Sequence, residues 1–236
     1  MKNLTFTITN TSPLILATGK NDSSYIDNQM DFDELGFPFI SARRFKGLLR
    51  NSSEQVFSMF KHSSIEYNLP TVTSVFGDGW SESKCIFTNI NICEYEKNKE
   101  FLKNLKLDNN FQFSSSDLIN TVTTIRQQTN ITSYGVTKDN SLRTINVLDS
   151  GFQFEGSIQL VDDNSIEMLI ALSLLNLRHI GLNRTRGFGN IICEIESYPP
   201  YQSIEELISS GLLVDTLCQI DSSSFMFINE IDDMLT

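Results

Sequence analysis

"GFQFEGSIQLVDDNSIEMLIALSLLNLRHIGLNRTRGFGNIICEIESY" (residues 151–198) is the stretch on which the fold turns. Its first ten residues alternate, with Phe152, Phe154, Ile158 and Leu160 on one side, the period-two pattern of a half-buried strand. Residues 164–181 are apolar nearly all round, which predicts a buried helix ending at Gly181. Residues 189–198 read as a second strand, closed by the prolines that follow Tyr198. Strand, helix, strand is half of a split β-α-β arrangement, so the rest of the chain has to supply the other half.

It does so at the N-terminal side. "LTFTI" (4–8) places Leu4, Phe6 and Ile8 on one face of a strand, and "SPLILATG" extends that pairing up to Gly19. Residues 20–36 are polar and acidic and read as a loop. A helix is expected from Ser41, its cap, with Phe45, Leu48, Leu49, Val56, Phe57 and Phe60 as the apolar stripe and "NSS" (51–53) as a bend. "CIFTNINIC" (85–93) reads as one strand with Ile86, Ile90 and Ile92 on one face. Residues 94–120 are charged and serine-rich, an insertion. Residues 121–150 are two weakly alternating arms about a turn at Gly135 and "KDN". The order is that of an α+β, ferredoxin-like (RRM-like) βαββαβ core with large insertions, at about 20–36 and 94–150. We assign residues 1–198 to this domain and 199–236 to an acidic C-terminal extension.

Composition narrows the function. The chain has 236 residues, 40% hydrophobic and 20% charged, enough for one substantial core or two small ones. Mean hydropathy is −0.14, and no apolar run approaches the roughly 18 residues of a membrane span, so no membrane partner is expected. "MKNLTFTITN" alternates where a signal peptide would be continuously apolar, so no export is expected. Cys85, Cys93, Cys193 and Cys218 form no CxxC pair and do not cluster with His62 and His179. No metal site is therefore expected from them, and a cytoplasmic chain with reduced thiols is. The net charge of −11 is unevenly placed: residues 191–236 hold nine acids and no Lys or Arg. The remainder is nearly neutral, which leaves room for a basic groove.

Two stretches carry that basic character. "GLNRTRGFGN" (181–190) joins the buried helix to the last strand, and its glycines and Arg184 and Arg186 suit a sugar-phosphate backbone. It has no GxxxxGK[ST] and is not a nucleotide P-loop, and a solvated surface turn is the competing reading. "FPFISARRFKGLLR" (37–50) brings Arg43, Lys46 and Arg50 onto one helical face, with Arg43 and Arg44 in the first turn. Cations there oppose the helix dipole at roughly 0.3–1 kcal/mol each, a conflict that a bound anion removes. An ordinary charged helix face is the competing reading.

Taken together and in this order, the stretches resemble the RAMP superfamily of CRISPR proteins. "DFDELGFPFISARRFKGLLR" is similar to that family's G-x-P-x-I-P-x-S-S-x-K-G-x-x-R segment, and "GLNRTRGFGN" to its C-terminal glycine-rich loop. "SVFG" (74–77) before a strand also fits, and residues 123–160 resemble the thumb hairpin and following strand of type III backbone subunits. The resemblance spans roughly 1–196, with Ser41 where a proline is usual and Arg43–Arg44 where two serines are usual.

The resemblance implies a filament subunit that holds CRISPR RNA, meets complementary target RNA and contacts other CRISPR effector subunits. It implies guide contacts from Arg43, Arg44, Lys46, Gly47, Arg50, Arg184, Arg186, Gly187 and Gly189, and thumb cations at Arg126, Lys138 and Arg143. Subunits of this kind that cut target RNA carry an aspartate in the loop before the basic helix, and Asp27 is the best match, ahead of Asp31 and Asp33. Its carboxylate would activate a ribose 2′-hydroxyl or hold Mg2+ or another divalent cation beside the phosphate. A solvated acidic loop is the competing reading. Two other functions stay open: a non-catalytic structural or capping subunit, and a guide-processing endoribonuclease, for which His62 would be a general acid or base.

Overall fold

The strand expected at 151–160 takes the centre of the sheet in the computed structural model, which describes residues 1–16, 31–62, 69–78, 80–107, 114–138, 141–161 and 163–196. Strand β7 (Gln153–Leu160) pairs antiparallel with β1 (Lys2–Asn10) on one side. On its other side it pairs with two short strands, β3 (Cys85–Phe87) and β4 (Ile90–Ile92). β1 in turn pairs antiparallel with β8 (Ile191–Ile195), and the two-residue β2 (Phe39–Ile40) adds to β4. With β3 and β4 counted together as the second core strand, the order across the sheet is fourth, first, third, second. That is the order of the ferredoxin-like βαββαβ fold.

The helices follow from the same alternation. Leu4, Phe6 and Ile8 of β1 and Phe154, Ile158 and Leu160 of β7 are all buried on one face. Helix α1 (Ala42–His62) and helix α5 (Asn164–Leu175) pack against that core and against each other. The Phe45 ring stacks on Phe6 with centroids 5.2 Å apart. Each such buried side chain contributes roughly 1.5–3 kcal/mol. α5 is apolar all round because the sheet lies on one side of it and α1 on another. Its one buried acid, Glu167, accepts a hydrogen bond from Lys2 Nζ at 2.5 Å.

Two expectations are corrected, and a third stretch gains a packing role. The "NSS" triplet does not interrupt α1, which runs through it, and Ser53 Oγ donates back to the Leu49 carbonyl at 2.9 Å. Ser52 and Ser53 are buried instead: Ser52 Oγ donates to the Ser173 carbonyl at 2.7 Å, and the Ser53 and Ser173 hydroxyls lie 2.7 Å apart. Small hydroxylated residues let the two helices approach while satisfying their own polar atoms.

The segment 85–93 is not one strand. Phe87 faces Ile158 and Asn91 faces Glu155, so four steps on one strand oppose three on the other. This one-residue bulge reverses the faces, leaving Ile86 half exposed and Ile90 buried. Lastly, α5 stops at Leu175, short of Gly181, and residues 178–180 turn extended to pair with 189–191.

The insertion from 94 holds two helices, α3 (Tyr95–Leu107) and α4 (Ser115–Val122), the second running two residues past the expected limit at 120. α4 opens on a capping box, Ser114 with Asp117. A short helix α2 (Val72–Phe76) precedes β3. Among the described residues no helix is long and apolar enough to cross a membrane. Asp27 and the extension 199–236 lie outside the described residues.

Candidate nucleic-acid interface

The arms expected in 121–150 form a hairpin. β5 (Thr123–Gln128) and β6 (Arg143–Leu148) pair antiparallel from Thr123–Leu148 to Gln128–Arg143, and Ile131 bridges Thr137 near the tip. The base of the hairpin is anchored to the core domain by the segment after β1. Leu14 and Leu148 exchange both backbone hydrogen bonds at 2.9 Å. Ile145 and Val147, one side of β6, are buried with Ile15 and Phe188 in a second small core. Phe188 belongs to the glycine-rich loop, so the hairpin and the loop share one apolar foundation.

The loop itself is the turn of a tight ladder. The Ile180 amide donates to the Gly189 carbonyl at 2.8 Å, and the Ile191 amide to the Arg178 carbonyl at 2.9 Å. Between these lies a short 3-10 turn, Arg184–Arg186. Gly187 and Gly189 both have left-handed backbone, with φ of 79° and 77°. A Cβ at Gly189 would lie 2.0 Å from the Ile180 carbonyl oxygen, whereas one at Gly187 would meet nothing within 4 Å. The close approach at Gly189 is therefore to the chain's own backbone, and the open position is Gly187.

Side chains lock loop to hairpin. Gln128 Oε1 accepts from Asn183 Nδ2 and from an Arg186 guanidinium nitrogen, each at 3.3 Å. The Arg126 guanidinium lies 5.5 Å from the Phe188 ring centroid. Between the two elements opens a cleft of about 450 Å³, lined by Lys138, Arg143 and Arg186 with Gln128, Asn130 and Asn183. No lining residue is acidic. Thus four of the five cations expected in hairpin and loop meet here: three line the cleft and Arg126 stands beside it. The fifth, Arg184, turns to the other side of the loop, where its Nε donates to the Gly181 carbonyl at 3.3 Å.

The basic helix start is more divided than its spacing suggests. Arg43 and Gly47 are exposed. Lys46 Nζ lies 6.0 Å from the Phe87 ring centroid. Arg50 donates to the Gly77 carbonyl at 3.3 Å and pairs with Glu54 at 3.5 Å. Arg44 pairs with Asp31 at 3.2 Å. Asn89 Oδ1, within the bulged segment, accepts from the Ala42 amide at 2.9 Å and so satisfies one free donor of the first turn. Gly47 is a helix-interior glycine with nothing within 4 Å of where a Cβ would stand. Such a glycine costs roughly 1 kcal/mol relative to alanine. Among the described residues no contact explains it.

Of the acidic loop, Asp31 and Asp33 are committed to structure. Asp33 Oδ1 accepts from the Leu35 and Phe37 amides at 3.0 and 2.7 Å, and Oδ2 accepts from the Tyr95 hydroxyl at 2.7 Å. Burial and this hydrogen bond push the Tyr95 phenol up to about 12. Asp27 lies outside the described residues, and among those described no group of three or more His, Cys, Asp and Glu is placed to hold a metal. His179 is half-buried beside the loop and bridges Asn190 through its backbone.

Sequence reasoning passed over three residues. Gln128 and Asn183 tie the hairpin to the loop, and their roles depend on a packing that no local pattern announces. Trp80 is 99% exposed on a turn held by Asp78, whose Oδ1 accepts from the Trp80 and Ser81 amides and the Ser81 hydroxyl. The Trp80 amide and then Ser81 hold the Asp78 carboxyl below the usual carboxylate range. "GDGWS" was the available signal, a turn with a lone tryptophan at its apex.

A ferredoxin-like core that carries a basic hairpin against a glycine-rich, arginine-bearing loop defines a class built to hold a polyanionic strand. The chain belongs to the RAMP superfamily, whose family model matches residues 7–192. Among solved structures it is similar to a chain of "Type III-B Cmr-beta bound to cognate target RNA", at 14% identity and a TM-score of 0.62, covering 83% of this chain and 97% of that one. It is also similar to a chain of the Apo-state Type III-B Cmr-beta, at 15% identity and a TM-score of 0.60, with the same coverage. These likenesses are of fold. No curated protein matches the sequence.

Proposed function

We propose that this chain is a CRISPR RNA-binding backbone subunit of a type III-like effector complex, working in the cytoplasm, and that it also cleaves complementary target RNA. The observation that carries the binding role is the cleft between hairpin and glycine-rich loop. In a chain of net charge −11, three cations converge there with no carboxylate among the lining residues. Membership of the RAMP superfamily and the fold shared with Cmr-beta chains support the same reading.

Lys138, Arg143 and Arg186 would take phosphates in the cleft, with Arg43 and the bare backbone at Gly47 forming a second contact along α1. Contacts of this kind position a strand without reading its sequence, which suits a subunit that must accept any guide. Ile131, Tyr134 and Val136 are exposed on the hairpin and would meet bases beyond the backbone.

Cleavage is assigned to Asp27. Asp27 is favoured over its two nearest rivals, since Asp31 is engaged with Arg44, and Asp33 with a turn and Tyr95. A divalent cation such as Mg2+ would stabilise the developing charge on the cleaved phosphate. Asp27 with RNA oxygens would be its ligands, consistent with the hard-oxygen preference of magnesium.

The test is to incubate the assembled complex with labelled complementary RNA and magnesium. Regularly spaced cuts are expected, and they should vanish in the Asp27→Ala complex while guide and target binding stay within about twofold, because the substitution removes one carboxylate and none of the cations proposed to hold the strand. Equal cutting by wild type and Asp27→Ala would refute the assignment. No cutting with any divalent cation would make the subunit a binding scaffold. A single cut in unprocessed repeat RNA by the isolated chain would make it a processing endoribonuclease.

A further inference from the structure

The glycine-rich loop divides two clefts, and the hairpin stands over only one of them. On the loop's far side, between α1 and the end of α5, is a cleft of about 460 Å³. Arg178, His179 and Arg184 line it from the loop side, and none of its lining residues is acidic. Leu48, Met59 and Leu177 give it apolar surface, and Asn51, Gln55 and Asn176 bring side-chain amides to it. Asn176 Nδ2 is held by Ser52 Oγ and Gln55 Oε1 at 3.0 and 3.1 Å, which fixes the amide in place. Among the described residues, Arg178 makes no ion pair and no side-chain hydrogen bond.

Two arginines beside a histidine, with no carboxylate among the lining residues, give this cleft a positive potential. The cations suit a phosphate, the apolar patch suits the face of a planar base, and the fixed amides suit a base edge, since an amide both donates and accepts. We infer that this α1–α5 cleft holds a single unpaired nucleotide of the bound RNA strand, its phosphate at Arg178 and Arg184 and its base over Leu48, Met59 and Leu177. The strand then crosses the loop, with Arg186 contacting it on the hairpin side and Arg184 on the α1 side. This rests on the RNA-binding reading above and adds a second, nucleotide-sized subsite to it.

The experiment uses the full chain and a single-stranded RNA carrying 4-thiouridine. After irradiation, crosslinked peptides should fall in 48–59 and 176–179 as well as in the hairpin. Arg178→Ala and Asn51→Ala are chosen because neither belongs to the hairpin–loop cleft. Arg178→Ala should reduce the salt dependence of RNA affinity by about 0.7 in log–log slope, the value for one phosphate left unneutralised on a single strand. Asn51→Ala should deplete the α1 crosslinks and leave the slope unchanged. Free AMP, as a competitor at millimolar concentration, should deplete the α1 crosslinks and spare those in the hairpin.

Crosslinks confined to the hairpin, with an unchanged slope in Arg178→Ala, would overturn this inference and leave the RNA-binding reading standing. No RNA binding by the wild-type chain would overturn both. Because the crosslinks are read on the wild type, a poorly folded variant would not shield the inference from failure.

Discussion

Gly187 and Gly189 share a backbone conformation but answer to different constraints. At Gly187 the only cost of a side chain is the left-handed φ, so Gly187→Ala should lose about 1–2 kcal/mol of stability. At Gly189 a Cβ would also drive into the Ile180 carbonyl, so Gly189→Ala should lose about 3 kcal/mol or more. Urea unfolding of the two variants checks the order, and equal losses would mean that the loop relaxes around the added carbon. The same loop shows what single residues can announce. Glycines and arginines between a helix and a strand signal a phosphate-binding turn. That one arginine goes to each side of the turn depends on the 3-10 geometry at 184–186 and on Gln128, which is far away in sequence. Ser52 and Ser53 illustrate the converse: local preference marks them as helix-benders, and the facing Ser173 recruits them as helix-packing residues.

At the scale of elements, α1 carries the sharpest contrast between stability and function. Gly47→Ala should stabilise the free chain by about 1 kcal/mol, since the added methyl meets nothing and alanine is the better helix former. The same change should weaken RNA binding if a backbone passes over that point. Thermal melts beside filter-binding assays test the pair of effects, and a variant both more stable and unimpaired would remove α1 from the interface. The alternating strands β1 and β7 and the helix α5 are legible in the sequence because each buries one periodic or continuous apolar set. The break between β3 and β4 is not, because Ile86, Ile90 and Ile92 keep one parity across a bulge that exists only opposite β7. Likewise local pattern puts the end of α5 at its glycine, whereas the helix gives way earlier so that 178–180 can pair with 189–191. Both clefts arise between elements distant in sequence, and no local pattern encodes them.

For the whole molecule the dominant fact is a net charge of −11 set against two clefts with cations and no carboxylate among their lining residues. Much of that negative charge belongs to residues beyond β8, which hold seven acids from Glu205 onward and no Lys or Arg. Truncation after Tyr198 should therefore spare RNA affinity and weaken complex assembly or solubility, a difference that size-exclusion and binding assays would separate. Loss of RNA affinity in a folded truncation would place the acidic segment in the interface after all. The most direct measurement of the central claim is the salt dependence of single-stranded RNA affinity for the wild-type chain and for the Lys138→Ala, Arg143→Ala, Arg186→Ala triple variant. If the hairpin–loop cleft grips the RNA backbone, the triple variant should bind more weakly at low salt and its log–log slope should fall by about 2, roughly 0.7 for each phosphate no longer neutralised. The same affinity and slope in both proteins would show that the cleft does not hold the strand.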